Sequence, residues 1–543
     1  MRLPRQATFC FLSALICVNL LVRYPLLSHE IGIDTFIFHG MATDLAALGH
    51  AKWTLHPLSY LGLYPLSQPS GSPFFVVAFS GISSVSIEGS ILLMDLTIAP
   101  IAILVAFLLG WEFARNEVFA LLLAAVLSFT PTLLTALVWQ MPTRIMFTIL
   151  LPLFIWSMIR LAREPRRQHA FISIATFLVM MSFHRLTVFV SLVAIAYVLT
   201  GILLVGLHTL RLRRPEFFLR KGISRLSPYL TMLAFLSVAA GVLFLTNVLD
   251  QYSVGVFNSG DTLEVQLVNL SVSVARGSGL LLPLSVIGIV GITFQRNKSV
   301  KEPFVLIGYL VFVPMLFLRQ YTSYYTVPYT SLFIAYGLYF VLRRLRSARA
   351  RIAVVSGAMA FLMVSSLAIA AYDFRLTPPM SEQTYTDGVW FRHVGSGTLV
   401  TNEGLIGSRL HAISGRPYLP VGGATTTFQS PELLMFGFLN SSNVDHDIVL
   451  SPLQELTIDS DSIFFLPGVQ AEGDWATILA THVDSLPSRF DMYLVTYAHE
   501  SKSLAGRYTA YGNTYPSLFF ESAHGYRYKV YEDGQAVTYF IGG

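Results

Sequence analysis

Apolar stretches of membrane length recur along the first two thirds of the chain. Each runs for roughly 17 to 25 residues, which is long enough for a helix to cross a hydrocarbon core of about 30 Å. A helix suits such a stretch in lipid because it satisfies its own backbone hydrogen bonds. Only 12% of the 543 residues are charged, against about 25% in ordinary soluble domains. The sequence therefore predicts an α-helical polytopic membrane protein.

Basic residues in the short connections predict the orientation of these spans. The positive-inside rule places four connections in the cytoplasm: Arg163–Gln168, Arg211–Arg225, Gln295–Glu302 and Arg343–Arg351. About 11 spans satisfy all four. We interpret the first apolar stretch, which follows Arg2 and Arg5, as a retained span with a cytoplasmic N-terminus. The later spans are predicted near 88–110, 118–138, 144–161, 170–184, 187–207, 228–248, 278–294, 303–318, 327–342 and 352–372.

The same topology predicts two domains. Residues 1–372 form a transmembrane module with sizeable external loops at 29–87 and 250–277. In the first loop, the apolar segment Pro73–Val85 has about 13 residues, too few to span, and predicts a buried or surface helix. Residues 373–543 lack long apolar runs and alternate helix-like pieces with four strand-like ones, GTLVT, SIFFLP, MYLVTY and YRYKVY. They predict an extracytoplasmic soluble α/β domain. We therefore expect a multi-pass protein of the plasma membrane with an external C-terminal domain.

A helical pattern with several titratable residues begins the first external loop. Its apolar residues recur at spacings of three and four: Ile33, Phe36, Ile37, Met41, Leu45 and Leu48. Such a helix is predicted to lie along the membrane surface, with polar residues facing a cavity or water. Asp34 is then either a helix N-cap, with His39, Asp44 and His50 on a solvated face, or a functional carboxylate. The spacing alone leaves both interpretations open.

Several short motifs resemble those of the GT-C membrane glycosyltransferases. A first span is followed by GIDTFIFHGMA (Gly32–Ala42), and Ser72 and Pro73 then open a short apolar helix. Further agreement comes from Thr143–Leu161, from FHRLT (Phe183–Thr187) and from RQYTSYYTVPYTSLFIAYGL (Arg319–Leu338). The C-terminal segment YKVYEDGQAVTYF (Tyr528–Phe540) is similar to the tail of archaeal membrane glycosyltransferase-like proteins.

The resemblance implies a reaction and its partners. GT-C enzymes take a sugar from a polyprenyl- or dolichyl-phosphate donor, so the expected partners are that donor, an external acceptor and membrane lipids, with no nucleic acid. Asp34 matches the functional aspartate of the first external loop and is the expected catalytic base. Arg319 matches a phosphate-binding arginine of a late span. Arg276, His184 and Arg185 are further candidates for binding the phosphate.

The resemblance also implies contacts to the acceptor or to a metal. DTLE (Asp261–Glu264) resembles the T-x-x-E-like motif of oligosaccharyltransferases, so Glu264 is expected to contact the acceptor or a metal, as are Asp44 and His39. Asp34 and Glu264 could share a divalent cation, Mg or Mn, because such ions take carboxylate oxygens. No nucleotide cofactor is expected, since the sequence has no P-loop.

Other function classes stay open at this point. The turn Trp139–Arg144 lacks the paired acids of oligosaccharyltransferases, and the tail lacks a W-W-D motif, which disfavours transfer of a whole oligosaccharide. A transporter or flippase of lipid-linked or small solutes would place its polar site near the membrane midplane. Asp95, which lies inside a predicted span, is expected to face protein or water. A non-catalytic member of the same fold is the third alternative.

Overall fold

The structure, a computed structural model, describes seventeen segments of the chain. They are residues 3–25, 27–51, 54–55, 63–64, 70–141, 143–164, 166–209, 262–295, 298–318, 323–375, 380–393, 398–401, 404–416, 418–420, 492–497, 527–532 and 536–541. Contacts divide the chain into two compact units. The first comprises Met1–Pro25, Leu92–Val138 and Pro142–Arg375; the second comprises Leu26–Ile91, Trp139–Met141 and Leu376–Gly543.

Helices make up most of the described chain. In chain order they are α1 Arg5–Arg23, α2 Ile33–Leu48, α3 Gly71–Ser83, α4 Ile87–Ala114, α5 Glu117–Ser128, α6 Pro131–Ala136, α7 Arg144–Arg163, α8 Arg167–Phe183, a 3₁₀ helix Arg185–Ser191, α9 Leu192–Thr209, α10 Leu263–Ser278, α11 Pro283–Thr293, α12 Lys301–Leu318, α13 Ser323–Arg344, α14 Ala348–Arg375, α15 Glu382–His393 and α16 Gly404–Ser414.

Within the described residues, five helices are long and apolar enough to cross a membrane: α1, α4, α7, α13 and α14. Two shorter helical segments meet at an angle of 88°: Leu270–Ser278 and Pro283–Thr293. Counted together as one bent span, they would be a sixth membrane helix. Helices lie at ten of the eleven predicted span positions, and the remaining position, 228–248, lies outside the described residues. The number of spans stays a prediction.

The predicted span 118–138 is two helices rather than one. Asn116 caps α5, because its side chain accepts a hydrogen bond from the amide of Phe119 at 3.2 Å. The helix ends at Ser128, and α6 begins at Pro131. Proline lacks an N–H and disfavours the helical conformation of the residue before it, so one helix ends and another begins there.

Close contact between backbones joins α11 to α13 in the first unit. A Cβ atom placed on Gly288 would lie 2.0 Å from the carbonyl oxygen of Phe333. One placed on Gly337 would lie 2.1 Å from the carbonyl oxygen of Leu284. Small residues let membrane helices approach closely enough for backbone packing. The two glycines therefore set the distance between these helices.

Two charged residues, Arg23 and Asp95, are buried in the first unit. Arg23, at the end of α1, is 1% exposed and donates to Asn19 Oδ1 and to the carbonyl oxygen of Ser128. Asp95 is also 1% exposed, so the expectation that it faces protein or water is confirmed. Such pairing reduces the cost of holding charge away from water.

Helix α2 lies inside the second unit. Phe36 packs in a buried cluster with Met380, Ala412 and Ile413, which belong to the segments around α15 and α16. Helices α3 and α16 both contact α2. The predicted helix beginning near Asp34 is confirmed, and α3 has the length expected for a segment that does not span. Its exposed aromatic residues include Phe74 and Phe75, which suits a surface helix.

Strands complete the second unit. They are β1 Thr54–Leu55, β2 Leu63–Tyr64, β3 Thr398–Thr401, β4 Tyr418–Pro420, β5 Met492–Tyr497, β6 Arg527–Glu532 and β7 Ala536–Ile541. The last five form one sheet in the order β4-β3-β5-β7-β6. Strand β3 is parallel to β4 and β5, whereas β7 is antiparallel to β5 and β6. Three of the predicted strand segments lie in this sheet; the fourth, near 462–467, lies outside the described residues.

Candidate functional site

Helix α2 begins abruptly at a glycine. Its N-cap, Gly32, has φ +96° and ψ 137°, a conformation that only glycine adopts easily. Asp34 is the second residue of the helix and is half-buried. Asp34 is therefore not the N-cap; it lies in the first turn, where the helix dipole favours a negative charge.

The segment before α2 is held at consecutive residues. The amide of Glu30 donates to Glu88 Oε1 at 3.4 Å, and the amide of Ile31 donates to the carbonyl oxygen of Trp139 at 3.1 Å. The Trp139 indole N–H in turn donates to the carbonyl oxygen of Glu88 at 3.2 Å. Just inside the helix, Thr35 Oγ1 accepts from the amide of Met141 at 3.1 Å. These bonds fix where α2 starts and hence where Asp34 lies.

His29 lies between two carboxylates. Its Nδ1 is 3.0 Å from Glu88 Oε1, and its Nε2 is 3.3 Å from Glu382 Oε2, at the start of α15. The imidazole also stacks on the ring of Tyr385, with centroids 3.9 Å apart and an angle of 19° between the planes. The His29 side chain is only 10% exposed. The histidine thus connects the segment before α2 to α4 and to α15.

A second acid–histidine pair is buried beside the first. Glu30 Oε1 lies 2.5 Å from Nδ1 of His39, which is one turn and a half along α2 from Asp34. Both side chains are almost fully buried, at 0% and 4% exposure. A buried carboxylate is tolerated when it is paired and hydrogen-bonded. His39 therefore contributes to holding the start of α2 rather than lying on a solvated face.

The middle of α2 is attached to α16. Asp44 Oδ2 lies 3.6 Å from His411 Nε2, and Thr43 donates to the carbonyl oxygen of Ala412 at 3.0 Å. The guanidinium of Arg409 lies over the ring of Phe36, 5.3 Å from its centroid. Asp44 is 7% exposed. Of the two aspartates on α2, Asp34 is the one that keeps partial exposure.

Hydrogen bonds and burial shift two pKa values at the start of α15. Hydrogen bonds from Ser28 and from His29 hold the pKa of Glu382 below its ordinary value. Burial, reinforced by the carboxylate of Glu88, raises the pKa of Tyr385 above its ordinary value. Glu382 is consequently a stable anion at neutral pH, and Tyr385 is neutral there.

The remaining predicted site residues lie on the first unit. Glu264 is exposed in the first turn of α10, and the Thr262 side chain caps this helix. Arg276 is in the last turn of the same helix, with its guanidinium 5.9 Å from the centroid of Tyr372. His184 is the buried C-cap of α8, and Arg185 begins the 3₁₀ helix. Arg319 lies outside the described residues.

The structure adds three residues that the sequence did not single out: Glu30, Glu88 and Glu382. Each contacts His29 or His39. Glu30 could have been selected from the sequence, because it lies just before the helix that carries Asp34. No sequence pattern points to Glu88 or Glu382, since they lie 59 and 353 positions along the chain from His29.

No metal centre is formed by the described part of the chain: no three His, Cys, Asp or Glu side chains there are grouped to hold an ion. Asp34 and Glu264 supply carboxylate oxygens, which are the ligand type that Mg and Mn prefer. They belong to different units. The described residues therefore offer the right donor chemistry without an assembled ligand set.

Solved structures with the same architecture were found by structural comparison. The archaeal oligosaccharyltransferase AglB from Archaeoglobus fulgidus, in complex with an inhibitory peptide and a dolichol-phosphate, aligns with a TM-score of 0.56 at 11% identity over 90% of this chain and 69% of that one. ArnT from Cupriavidus metallidurans, bound to undecaprenyl phosphate, aligns with a TM-score of 0.56 at 11% identity over 98% and 97%.

A mycobacterial arabinofuranosyltransferase, AftD, aligns with a TM-score of 0.54 at 14% identity over 100% of this chain and 42% of that one. The chain has the GT-C fold. The resemblance seen in the short motifs is thereby confirmed for the fold. No protein-family profile and no curated protein sequence matches the chain. Identities this low carry the fold and leave substrate and activity to argument from the site.

Proposed function

We propose that this protein is a membrane glycosyltransferase that moves a sugar from a polyprenyl-phosphate-linked donor to an external acceptor. The observation that carries the proposal is the placement of Asp34. It is a partly exposed carboxylate in the first turn of α2, and the segment that leads to it is fixed at His29, Glu30 and Ile31. A catalytic group held so firmly keeps its orientation during reaction. The GT-C fold supports the same assignment.

The chemistry requires one base. A sugar attached to phosphate already has a good leaving group, so protonation of that group is unnecessary. Asp34 accepts the proton of the acceptor hydroxyl as the oxygen attacks the anomeric carbon, and the bond to the phosphate oxygen breaks. General base catalysis of this kind contributes about 10² to 10⁴ in rate. A single displacement inverts the configuration at the anomeric carbon.

Cations must stabilise the departing lipid phosphate. We assign this role to Arg319, because a guanidinium presents a fork of donors to phosphate oxygens. Arg276, His184 and Arg185 are the further candidates. Glu264 is assigned to the acceptor or to a metal. His39 and Asp44 are buried in their pairs with Glu30 and His411, and this favours a role in holding α2 over direct contact with the acceptor.

A divalent cation, Mg or Mn, is part of the proposal only as an ion whose ligands are the carboxylates of Asp34 and Glu264. When bound, it would neutralise charge on the donor phosphate. A related precedent is the Archaeoglobus fulgidus oligosaccharyltransferase, for which a complex with Zn and sulfate is known. The roles given to Asp34 and Arg319 do not depend on the ion. No nucleotide cofactor is needed, since the donor is a lipid.

The finer topology belongs to the proposal as well. We propose about 11 spans, a cytoplasmic N-terminus and an extracytoplasmic α/β domain, in the plasma membrane. The sheet of β3 to β7 together with α15 and α16 supports the α/β character of that domain. With this orientation α2 lies outside, on the side where the acceptor is expected.

The test compares Asp34→Asn with wild type in lipid, using a radiolabelled polyprenyl-phosphate sugar and a mixture of acceptors. The expected result is a loss of transfer of at least 10² in the variant. Glu164→Gln, in the connection between α7 and α8, is the control and should transfer like wild type. Equal transfer by Asp34→Asn and wild type would remove Asp34 as the base.

The assay with the labelled lipid also distinguishes two other activities. Movement of the labelled lipid across the bilayer without any transfer would identify a flippase. Transfer of a whole oligosaccharide to an Asn-x-Thr peptide would identify an oligosaccharyltransferase, a reading favoured by the likeness to the Archaeoglobus structure. Absence of paired acids in Trp139–Arg144 disfavours it.

A further inference from the structure

We propose that His29 is a positioning residue whose protonated imidazole ties α15 to the start of α2, and so holds Asp34 in a pH-dependent way. The proposal rests on the function proposed above only for its effect on catalysis. The tie itself is a property of the second unit and can be measured without any substrate.

The hydrogen bonds that His29 can donate depend on how many protons its imidazole carries. A neutral imidazole has one N–H donor and one lone pair, whereas the imidazolium has two donors. Both ring nitrogens of His29 face carboxylate oxygens, at 3.0 Å and 3.3 Å. Ionised carboxylates only accept hydrogen bonds. With both carboxylates ionised, the bridge from Glu88 to Glu382 is therefore complete only when His29 carries both protons.

Acidic side chains and an aromatic ring surround His29. Carboxylates contact it from two elements, Glu88 from α4 and Glu382 from α15, and the charge of Glu30 acts on Glu88. The ring of Tyr385 lies against the imidazole face, and aromatic faces attract cations. Among the described residues, His39, paired with Glu30, and Arg392, which lies near Tyr385 on α15, are nearby side chains that can carry positive charge.

Loss of the proton should loosen the same contacts. Without the imidazolium, three acidic residues remain close together with less positive charge between them, and one hydrogen bond of the bridge is lost. Glu88 also anchors the amide of Glu30 and, through its carbonyl oxygen, the indole of Trp139. A shift of Glu88 or His29 therefore reaches the backbone that begins α2. Asp34 lies two residues beyond Gly32 and would move with it.

Hydrogen exchange of the full chain in lipid nanodiscs tests the tie. Amides of residues 29–36 and 382–393 are compared at about pH 6 and about pH 8, on either side of the range in which imidazoles change charge, after correction for intrinsic exchange. Wild type should be protected roughly tenfold more at the lower pH, the size expected for one hydrogen bond to a charged group. His29→Gln should show equal protection at both pH values.

Two further variants make the result specific. Glu382→Gln changes an exposed side chain and should fold, and it should lose most of the pH dependence because one arm of the bridge is weakened. His50→Gln, an exposed histidine at the other end of α2, should behave like wild type. A pH dependence that survives in His29→Gln, or one that disappears in His50→Gln, would overturn the proposal.

Activity supplies a separate readout. In the transfer assay, His29→Gln should lower kcat with little change in the donor KM, and it should remove the fall in rate between about pH 6 and about pH 8. If wild type transfers no sugar, the proposed function fails, while the exchange measurement still decides the role of His29. If transfer and its pH profile are the same in His29→Gln and wild type, the positioning role fails.

Discussion

Gly32→Ala is expected to disable the site while leaving most of the protein folded. The backbone at Gly32 has φ +96°, and holding a non-glycine residue in such a conformation costs about 1–3 kcal/mol. The new Cβ would lie 3.0 Å from Thr35 Oγ1 and 3.3 Å from Gln140 Oε1. Moving Thr35 would also weaken its bond to the Met141 amide, worth about 1 kcal/mol. The total is about 2–4 kcal/mol.

Gly49→Ala is the matched control for this change. Gly49 is the C-cap of the same helix and also has positive φ, +72°, but a Cβ there would meet nothing within 4 Å. It should carry backbone strain of about 1–2 kcal/mol. The strain in Gly32→Ala is relieved most easily by moving the start of α2, and a displacement of about 1 Å at a catalytic group can lower the rate about 10²-fold.

The assay is transfer of labelled sugar from a polyprenyl phosphate, with the thermal unfolding midpoint measured on the same samples. We expect Gly32→Ala to lose about 10²-fold in rate, and Gly49→Ala to lose a few degrees of stability with little change in rate. Wild-type transfer by Gly32→Ala would refute the argument that this backbone places Asp34. An equal loss of rate in Gly49→Ala would show that α2 as a whole, rather than its first turn, is the sensitive element.

Three further predictions concern the packing and the charges. Gly288→Ala and Gly337→Ala should sharply lower the thermal unfolding midpoint in detergent, because their Cβ atoms would overlap the backbone of the facing helix. Gly357→Ala is the control and should not lower it, because a Cβ there would have nothing within 4 Å. Equal midpoints for all three variants would contradict the close contact. Phe36→Ala should destabilise the second unit by about 3–5 kcal/mol in denaturant titration, with exposed Leu48→Ala as the control that should change little. Because folding lowers the pKa of Glu382, its contribution to stability is present above the ordinary pKa of 4.5 and is lost as the pH falls through the folded-state pKa. Wild type should therefore lose more stability on acidification than Glu382→Gln. Parallel curves of stability against pH for the two proteins would rule this out.

Local patterns predicted the helices well. The spacing of apolar residues placed a helix from Ile33 onward, and α2 spans Ile33–Leu48. Apolar length placed the membrane helices, because a span needs its own backbone hydrogen bonds whatever lies beside it. The predicted span 118–138 missed a break whose cause is visible in the sequence. Pro131 ends one helical run and begins the next.

The same patterns gave the wrong surroundings for the polar residues of α2. An amphipathic helix on a membrane surface turns one side to water, so His39 and Asp44 were expected to face a cavity or solvent. They are buried instead, because α16 covers this helix and supplies His411, while Glu30 pairs with His39. Helical spacing reports which residues share a face and gives no information about a distant segment that covers that face.

Asp34 differs from these buried groups in a way that bears on function. His39 and Asp44 lie in buried pairs with Glu30 and His411. Such pairing offsets the cost of enclosing a charge in protein. Asp34 shares their helix yet stays partly exposed, while the residues on its N-terminal side are held by at least four contacts to Glu88, Trp139 and Glu382. A carboxylate that is held by its backbone and partly exposed suits the general base that we propose.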